Sequence, residues 1–180
     1  PPPPPPPPHP PHTHTHTTPP PPPQPSAVRL QRQRGPREST GGAGVDKVTG
    51  GEGVETIDGA GGDDIITIAA AGKGNTDVMD GGADADVLQL STGAHAFADD
   101  AKLKNIETIK TASGGSEVDL SAQTEALTIT GGAGNDIITG GKGIDTINAG
   151  DGTDTITGGE GNDIITGGAG VDTFKVDKDT

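Results

Sequence analysis

Ten acidic residues recur in one setting: Asp46, Glu55, Asp64, Asp77, Asp86, Asp136, Asp145, Asp154, Asp163 and Asp172. Each follows a glycine-rich stretch. Each precedes, two places on, a large apolar residue: Val48, Ile57, Ile66, Met79, Leu88, Ile138, Ile147, Ile156, Ile165 and Phe174. Carboxylates set among glycines bring together side-chain and backbone oxygens, the donors that a hard cation prefers. Ca²⁺ takes six to eight such ligands. One Asp per repeat cannot supply that number, whereas two Asp from neighbouring repeats plus loop carbonyls can. The recurrence therefore points to cations shared between successive repeats.

The unit that positions these acids reads Gly-Gly-x-Gly-x-Asp-x-U-x, with U large and apolar. Five copies run head to tail from Gly131, Gly140, Ala149, Gly158 and Gly167; three more start at Gly41, Gly50 and Gly59, and two looser ones at Gly72 and Gly81. Positions seven to nine, such as Ile-Ile-Thr or Thr-Ile-Thr, are β-branched and suit a very short strand with one side chain inward. Positions one to six must turn the chain, and their glycines open backbone conformations closed to other residues.

Composition agrees with a repeat architecture. Apolar residues make up 28% of the 180, with two Phe as the only aromatics, too little for an ordinary globular core. Stacked small units sharing a thin core avoid the disorder that such a composition otherwise implies. Residues 1–40 carry four Arg against Glu38 alone, net +3; residues 41–180 carry eight Lys against 25 acids, net −17. An acidic body repels nucleic acid and anionic membrane and attracts cations. No cysteine is present, which excludes disulfides and zinc-thiolate sites. No apolar run approaches membrane-spanning length, and the N-terminus lacks the pattern of a secretory signal.

Five segments follow. Residues 1–40 hold all 17 prolines and the histidines His9, His12, His14 and His16, and are expected to form a disordered, low-complexity tail. Residues 41–89 form a first repeat block and residues 131–175 a second. Residues 90–130 read as extra coils without a metal loop, with short strands in "NIETIKT", "EVDLSA" and "ALTIT" and a short helix around Ala96–Leu103. Residues 176–180 follow the last repeat and suggest a truncated end, with Asp172 the weakest ligand.

Enzyme signatures are missing: there is no His-Glu-x-x-His and no Gly-x-Ser-x-Gly. His95, beyond residue 16 the sole histidine, is expected to lie exposed in a polar loop. An EF-hand loop does not occur. An ice-binding array would need Thr at position three, where none stands.

The nonapeptide closely resembles the RTX, or haemolysin-type, calcium-binding repeats of secreted bacterial proteins. The resemblance implies an all-β, right-handed parallel β-roll with loops alternating between two sides and Ca²⁺ between loop n and loop n+2. It would pair Asp136 with Asp154, Asp145 with Asp163, Asp154 with Asp172 and Asp46 with Asp64, giving roughly three ions in the second block. Loop backbone at Gly132, Gly134, Gly141, Gly143, Gly150, Gly152, Gly159, Gly161, Gly168 and Gly170 would complete the sites. Glu55 departs from Asp, Lys73 breaks a Gly pair, and Asn75 and Asp84 replace Gly at position four. The function implied is an extracellular module that folds on binding Ca²⁺ and serves a surface-layer, adhesin or toxin protein meeting surface or host molecules. The alternative is the calcium-dependent tail of a secreted hydrolase whose catalytic domain lies elsewhere.

Overall fold

The computed structural model describes residues 1–2, 27–29, 37–50, 54–68 and 76–175. Its regular structure is short parallel strand. One sheet of eight strands runs in the order Ala27–Arg29, Lys47–Gly50, Ile65–Ile68, Val87–Leu90, Thr108–Lys110, Thr128–Thr130, Thr146–Gly152 and Ile164–Gly170. Between these, the chain visits the other face. There four strands (Arg37–Ala43, Glu55–Gly61, Val78–Asp80, Leu103–Lys104) form one sheet, and five (Gly93–Ala96, Ser116–Asp119, Ile137–Thr139, Thr155–Thr157, Thr173–Lys175) form another. Each strand pairs with the one a full coil away, so the chain is a two-faced parallel β-solenoid.

Register follows from the apolar residue at position eight. Val48 lies opposite Ile66, Ile66 opposite Leu88, Leu88 opposite Ile109, Ile109 opposite Ile129, Ile129 opposite Ile147 and Ile147 opposite Ile165. The second face stacks Ile57 on Met79 and Val118, Ile138 and Ile156 in line. These side chains form one buried core between the faces. Strands alternate buried and outward residues, as in Lys47–Gly50 and Ile65–Ile68, because a β-strand sends successive side chains to opposite sides. Burying each Ile contributes about 1.5–3 kcal/mol. Stacking is what makes that burial possible, since a single coil covers neither side of its own core residue.

The solenoid begins before Gly41. Arg37–Thr40 already pairs with Glu55–Asp58, and Ala27–Arg29 pairs with Lys47–Thr49. Buried Ser39 takes the inward register position above Ile57. Strand pairing thus includes residues that the sequence assigns to the Pro-rich tail of residues 1–40. The expected disorder of that tail, the departures at Lys73 and Asn75, and residues 176–180 lie outside the described residues.

The middle region differs from expectation in two respects. The short helix around Ala96–Leu103 is a single 3₁₀ turn, Asp100–Lys102, capped by Asp99 Oδ1 accepting from Ala101 N–H. Gly93–Ala96 before it and Leu103–Lys104 after it are strands. These two strands point in opposite directions along the solenoid for pairing: Gly93–Ala96 joins Ser116–Asp119 of the next coil, and Leu103–Lys104 joins Val78–Asp80 of the previous one. The second face is thus split here into two sheets, stitched by one segment. His95 is not exposed. It occupies the inward register position opposite Val118 and is 2% exposed, because a strand places every second residue inward whatever its polarity. Its Nε2 lies 2.9 Å from the Ser91 carbonyl, and burial holds its pKa below the usual value.

Phe174, expected at a core position, is 53% exposed. A position-eight residue is covered by coils on both sides; among the described residues Phe174 has one such neighbour, Ile156. No helix among the described residues is long and apolar enough to cross a membrane.

Candidate metal centres

The recurrent acids fall at the start of the strands, so the register that stacks the core also stacks them along the two edges of the solenoid. One edge carries Asp46, Asp64, Asp86, Glu107, Leu127, Asp145 and Asp163 in successive coils, each just before a strand of the eight-stranded sheet. The other carries Glu55 and Asp77 and then, past the stitch, Ser116, Asp136, Asp154 and Asp172. Successive loops alternate between the two edges. Asp136 and Asp154, Asp145 and Asp163, Asp154 and Asp172, and Asp46 and Asp64 are thereby brought into consecutive coils.

Among the described residues, eight of the ten carboxylates reach one coil back. Oδ1 of Asp64 accepts from the N–H of Asp46 at 2.7 Å, Oδ1 of Asp86 from Asp64 at 2.7 Å, and Oδ1 of Asp77 from Glu55 at 2.9 Å. In the second block Asp136 accepts from Ser116 (2.7 Å), Asp145 from Leu127 (2.8 Å), Asp154 from Asp136 (2.8 Å), Asp163 from Asp145 (2.9 Å) and Asp172 from Asp154 (3.1 Å). One oxygen of each of these carboxylates thus ties its coil to the one before, a buried backbone N–H being costly to leave unpaired.

The second oxygen turns into its own loop. At Gly140, a Cβ would lie 2.8 Å from Asp145 Oδ2, and at Gly41, 2.7 Å from Asp46 Oδ2. Glycine at position one therefore leaves room beside the carboxylate that any side chain would fill. Asp145 Oδ2 accepts from Gly141 N–H at 2.8 Å and Asp136 Oδ2 from Gly132 N–H at 3.3 Å. Asp64, Asp86 and Asp154 are fully buried, and their Oδ2 atoms have no hydrogen-bond partner. An unpaired buried carboxylate oxygen is strongly unfavourable, and a cation would satisfy it.

Loop carbonyls lie close against the glycines of the next coil. Those of Gly132, Gly134, Gly141 and Gly143 are directed at Gly150, Gly152, Gly159 and Gly161 one coil on, and those of Gly150 and Gly152 at Gly168 and Gly170. Only backbone without a Cβ can be approached so closely. Positions two and four also turn through the left-handed region, as at Gly150 (φ 106°) and Gly134 (φ 116°). Ala60 (φ 77°) and Asp84 (φ 81°) hold that conformation with a side chain, at a cost of roughly 1–2 kcal/mol each. No three acidic, His or Cys side chains converge on one point among the described residues. An ion here would draw much of its shell from backbone oxygens.

Electrostatics mark the same loops. Burial pushes the carboxyls of Asp64, Asp77, Asp136 and Asp145 above their usual range, and Asp86 up to about 6. Backbone N–H bonds oppose the rise. Neighbouring carboxylates add to it: Asp46 and Asp63 at Asp64, Asp64 and Glu107 at Asp86, Asp154 at Asp136, Asp163 at Asp145.

Two contributors escaped the sequence reading. Glu107 stands in the first column although no nonapeptide leads into it. Position five forms a second ladder: Asn135 Oδ1 accepts from Thr153 N–H at 2.9 Å, and Asp63 Oδ1 from Ala85 N–H at 3.0 Å. An Asn or Asp before the recurrent Asp, as in "GND" and "GDD", was the available signal.

A parallel β-solenoid whose edges are stacked Gly-Asp loops defines a class of calcium-binding repeat protein. Four stretches of the chain, residues 39–66, 71–94, 128–147 and 139–174, match the RTX calcium-binding nonapeptide repeat. The chain belongs to that family, whose repeats bind Ca²⁺, and its several copies imply several ions. No curated protein matches the chain significantly.

Proposed function

We propose that the two carboxylate columns hold Ca²⁺ between successive coils, and that ion binding drives folding of an extracellular structural module. The ligands in this reading are Asp46, Asp64, Asp86, Asp145 and Asp163 on one edge and Glu55, Asp77, Asp136, Asp154 and Asp172 on the other, with loop carbonyls. The observation that carries it is the set of buried, unpartnered Oδ2 atoms of Asp64, Asp86 and Asp154 beside glycine loops. Without cations these carboxylates repel one another in a chain of net charge −14, while the core between them is one residue deep. With cations the charge is neutralised, and binding free energy becomes folding free energy.

Sites of extracellular type, with Kd on the order of 10⁻⁴–10⁻³ M, stay empty in cytosol and fill outside the cell. The match to the RTX calcium-binding repeat supports a place in a secreted bacterial protein, in its surface-layer, adhesive or toxin part. Circular dichroism of the chain during Ca²⁺ titration from chelator tests the coupling. Gain of β-structure with added Ca²⁺ is expected; full β-structure in chelator would sink it.

A further inference from the structure

We propose one more cation site, at the boundary between the first repeat block and the middle coils, held by the carboxylates of Asp86 and Glu107 and the carbonyl of Asn105. It rests on the reading of the columns above and extends it into a segment, residues 95–127, that no repeat match covers. The chain from Lys104 to Glu107 contains no glycine and resembles no nonapeptide.

The sheet register nevertheless aligns it. Thr108 pairs with Val87, which sets Glu107 opposite Asp86. Glu107 Oε2 accepts from Asp86 N–H at 2.7 Å, repeating the 2.7 Å bonds from Asp46 to Asp64 and from Asp64 to Asp86. Thr108 N–H donates to Asp86 O as Val87 N–H does to Asp64 O. The rung is that of a repeat, reached by a shorter turn and a side chain one methylene longer.

The pointer to a ligand is Asp86 itself, fully buried, with Oδ2 unpartnered. That oxygen and the Asn105 carbonyl both converge on the space beside Gly81. The same pairing occurs beside Gly59, where Asp64 Oδ2 meets the Gly81 carbonyl, and beside Gly41, where Asp46 Oδ2 meets the Gly59 carbonyl. Asn105 supplies its carbonyl from a left-handed backbone (φ 50°), fixed by its Nδ2 donating to Asp80 Oδ1 at 2.7 Å. Two carboxylates and a carbonyl form an all-oxygen donor set that suits a hard divalent cation of the Ca²⁺ class. The first column then carries ions down to Glu107 and is interrupted only at the next coil, where Leu127 stands.

The test is calorimetric Ca²⁺ titration of the full chain and of Glu107→Gln, which keeps an oxygen for Asp86 N–H and removes the charge. The expected result is one Ca²⁺ fewer, with Glu107→Asp restoring the count at weaker affinity. Unchanged stoichiometry and affinity in Glu107→Gln would overturn the site. Asp154→Asn is titrated alongside: if it loses an ion while Glu107→Gln does not, this site fails and the columns stand. If neither variant changes binding, the columns fail with it. Circular dichroism at saturating Ca²⁺ confirms that each variant is folded; should Glu107→Gln not fold, loss of one ion or weaker binding in Asn105→Ala, which removes the Nδ2 tie to Asp80, supports the site, and unchanged count and affinity overturn it.

Discussion

The N–H of Asp136 donates to Oδ1 of Asp154 at 2.8 Å across one coil of the solenoid, while the other carboxylate oxygen of Asp154 is buried with no partner. One side chain therefore has two separable jobs, and two substitutions separate them. Asp154→Ala removes both and leaves the Asp136 N–H unpaired, at a cost of about 1–3 kcal/mol. Asp154→Asn keeps an acceptor and removes the charge. In chelator, Asp154→Asn is expected to form at least as much β-structure as the parent and Asp154→Ala less. In Ca²⁺, both should lose bound ion. Circular dichroism in each condition, with calorimetric ion counts, checks this; equal Ca²⁺ binding by Asp154→Asn and the parent would count against the shared site.

Acid should stabilise the metal-free chain. Asp64, Asp77, Asp86, Asp136 and Asp145 hold their protons to higher pH when folded than the ordinary 3.8. The folded state thus binds more protons between 3.8 and the folded values, and stability falls as pH rises through that window, reaching about 6 for Asp86. His95 acts in the opposite sense, weakening the fold as pH drops below 6.5, but it is one group against five. Circular dichroism in chelator at pH 4, 5, 6 and 7 should show β-structure decreasing along that series. In Ca²⁺ the ion replaces the proton, so the Ca²⁺ midpoint should rise as pH falls below about 6. A metal-free chain that gains stability from pH 4 to 7 would contradict the burial of these carboxylates.

The parts legible in the sequence are those where strand register and sequence period coincide. From Gly131 to Lys175 the rungs are 18 residues apart, as at Ile129, Ile147 and Ile165, so the nine-residue unit predicts core, loops and paired acids together. From Ile66 to Ile129 the rungs are set by hydrogen bonding between coils, and the spacing stretches. Ile66 to Leu88 is 22 residues and Leu88 to Ile109 is 21. Glu107 consequently lines up with Asp86 without any periodic mark. The stitch at Gly93–Lys104 was hidden for a related reason: which coil a short strand joins depends on the edge left unpaired by its neighbours, and "GAHAF" carries no signal for that choice. The polarity of His95 suggests water, whereas the alternation of the strand turns it inward.

The loop at Gly59 offers a gain in stability. Its order, Gly59-Ala60-Gly61-Gly62, puts Ala where φ is 77°, while Gly61 has no positive φ and open space around a Cβ. Exchanging the two by Ala60→Gly and Gly61→Ala restores Gly-Gly-Ala-Gly. It relieves roughly 1 kcal/mol of strain, while the unfolded-state freedom gained at residue 60 and lost at residue 61 cancel. The double variant should melt higher than the parent in saturating Ca²⁺. Gly62→Ala, where φ is 110° and a Cβ would press into the Gly44 backbone, should melt lower. If the double variant melts at or below the parent, the strain assigned to Ala60 is not there.

The core should show a gradient set by how many coils cover each residue. Ile147 lies between Ile129 and Ile165 and is 1% exposed; Phe174, stacked on Ile156 alone, is 53% exposed. Ile147→Ala removes a fully packed side chain and is expected to cost about 2–5 kcal/mol. It should also raise the Ca²⁺ concentration needed to fold, because Asp145 and the loop after it ride on the same strand. Phe174→Ala removes more atoms but from a surface left half open, so its cost should be well below that of Ile147→Ala. Denaturant unfolding of both variants in saturating Ca²⁺ measures the difference. Equal costs would mean that Phe174 is covered as fully as Ile147 in solution, and that the solenoid does not thin out at Thr173–Lys175.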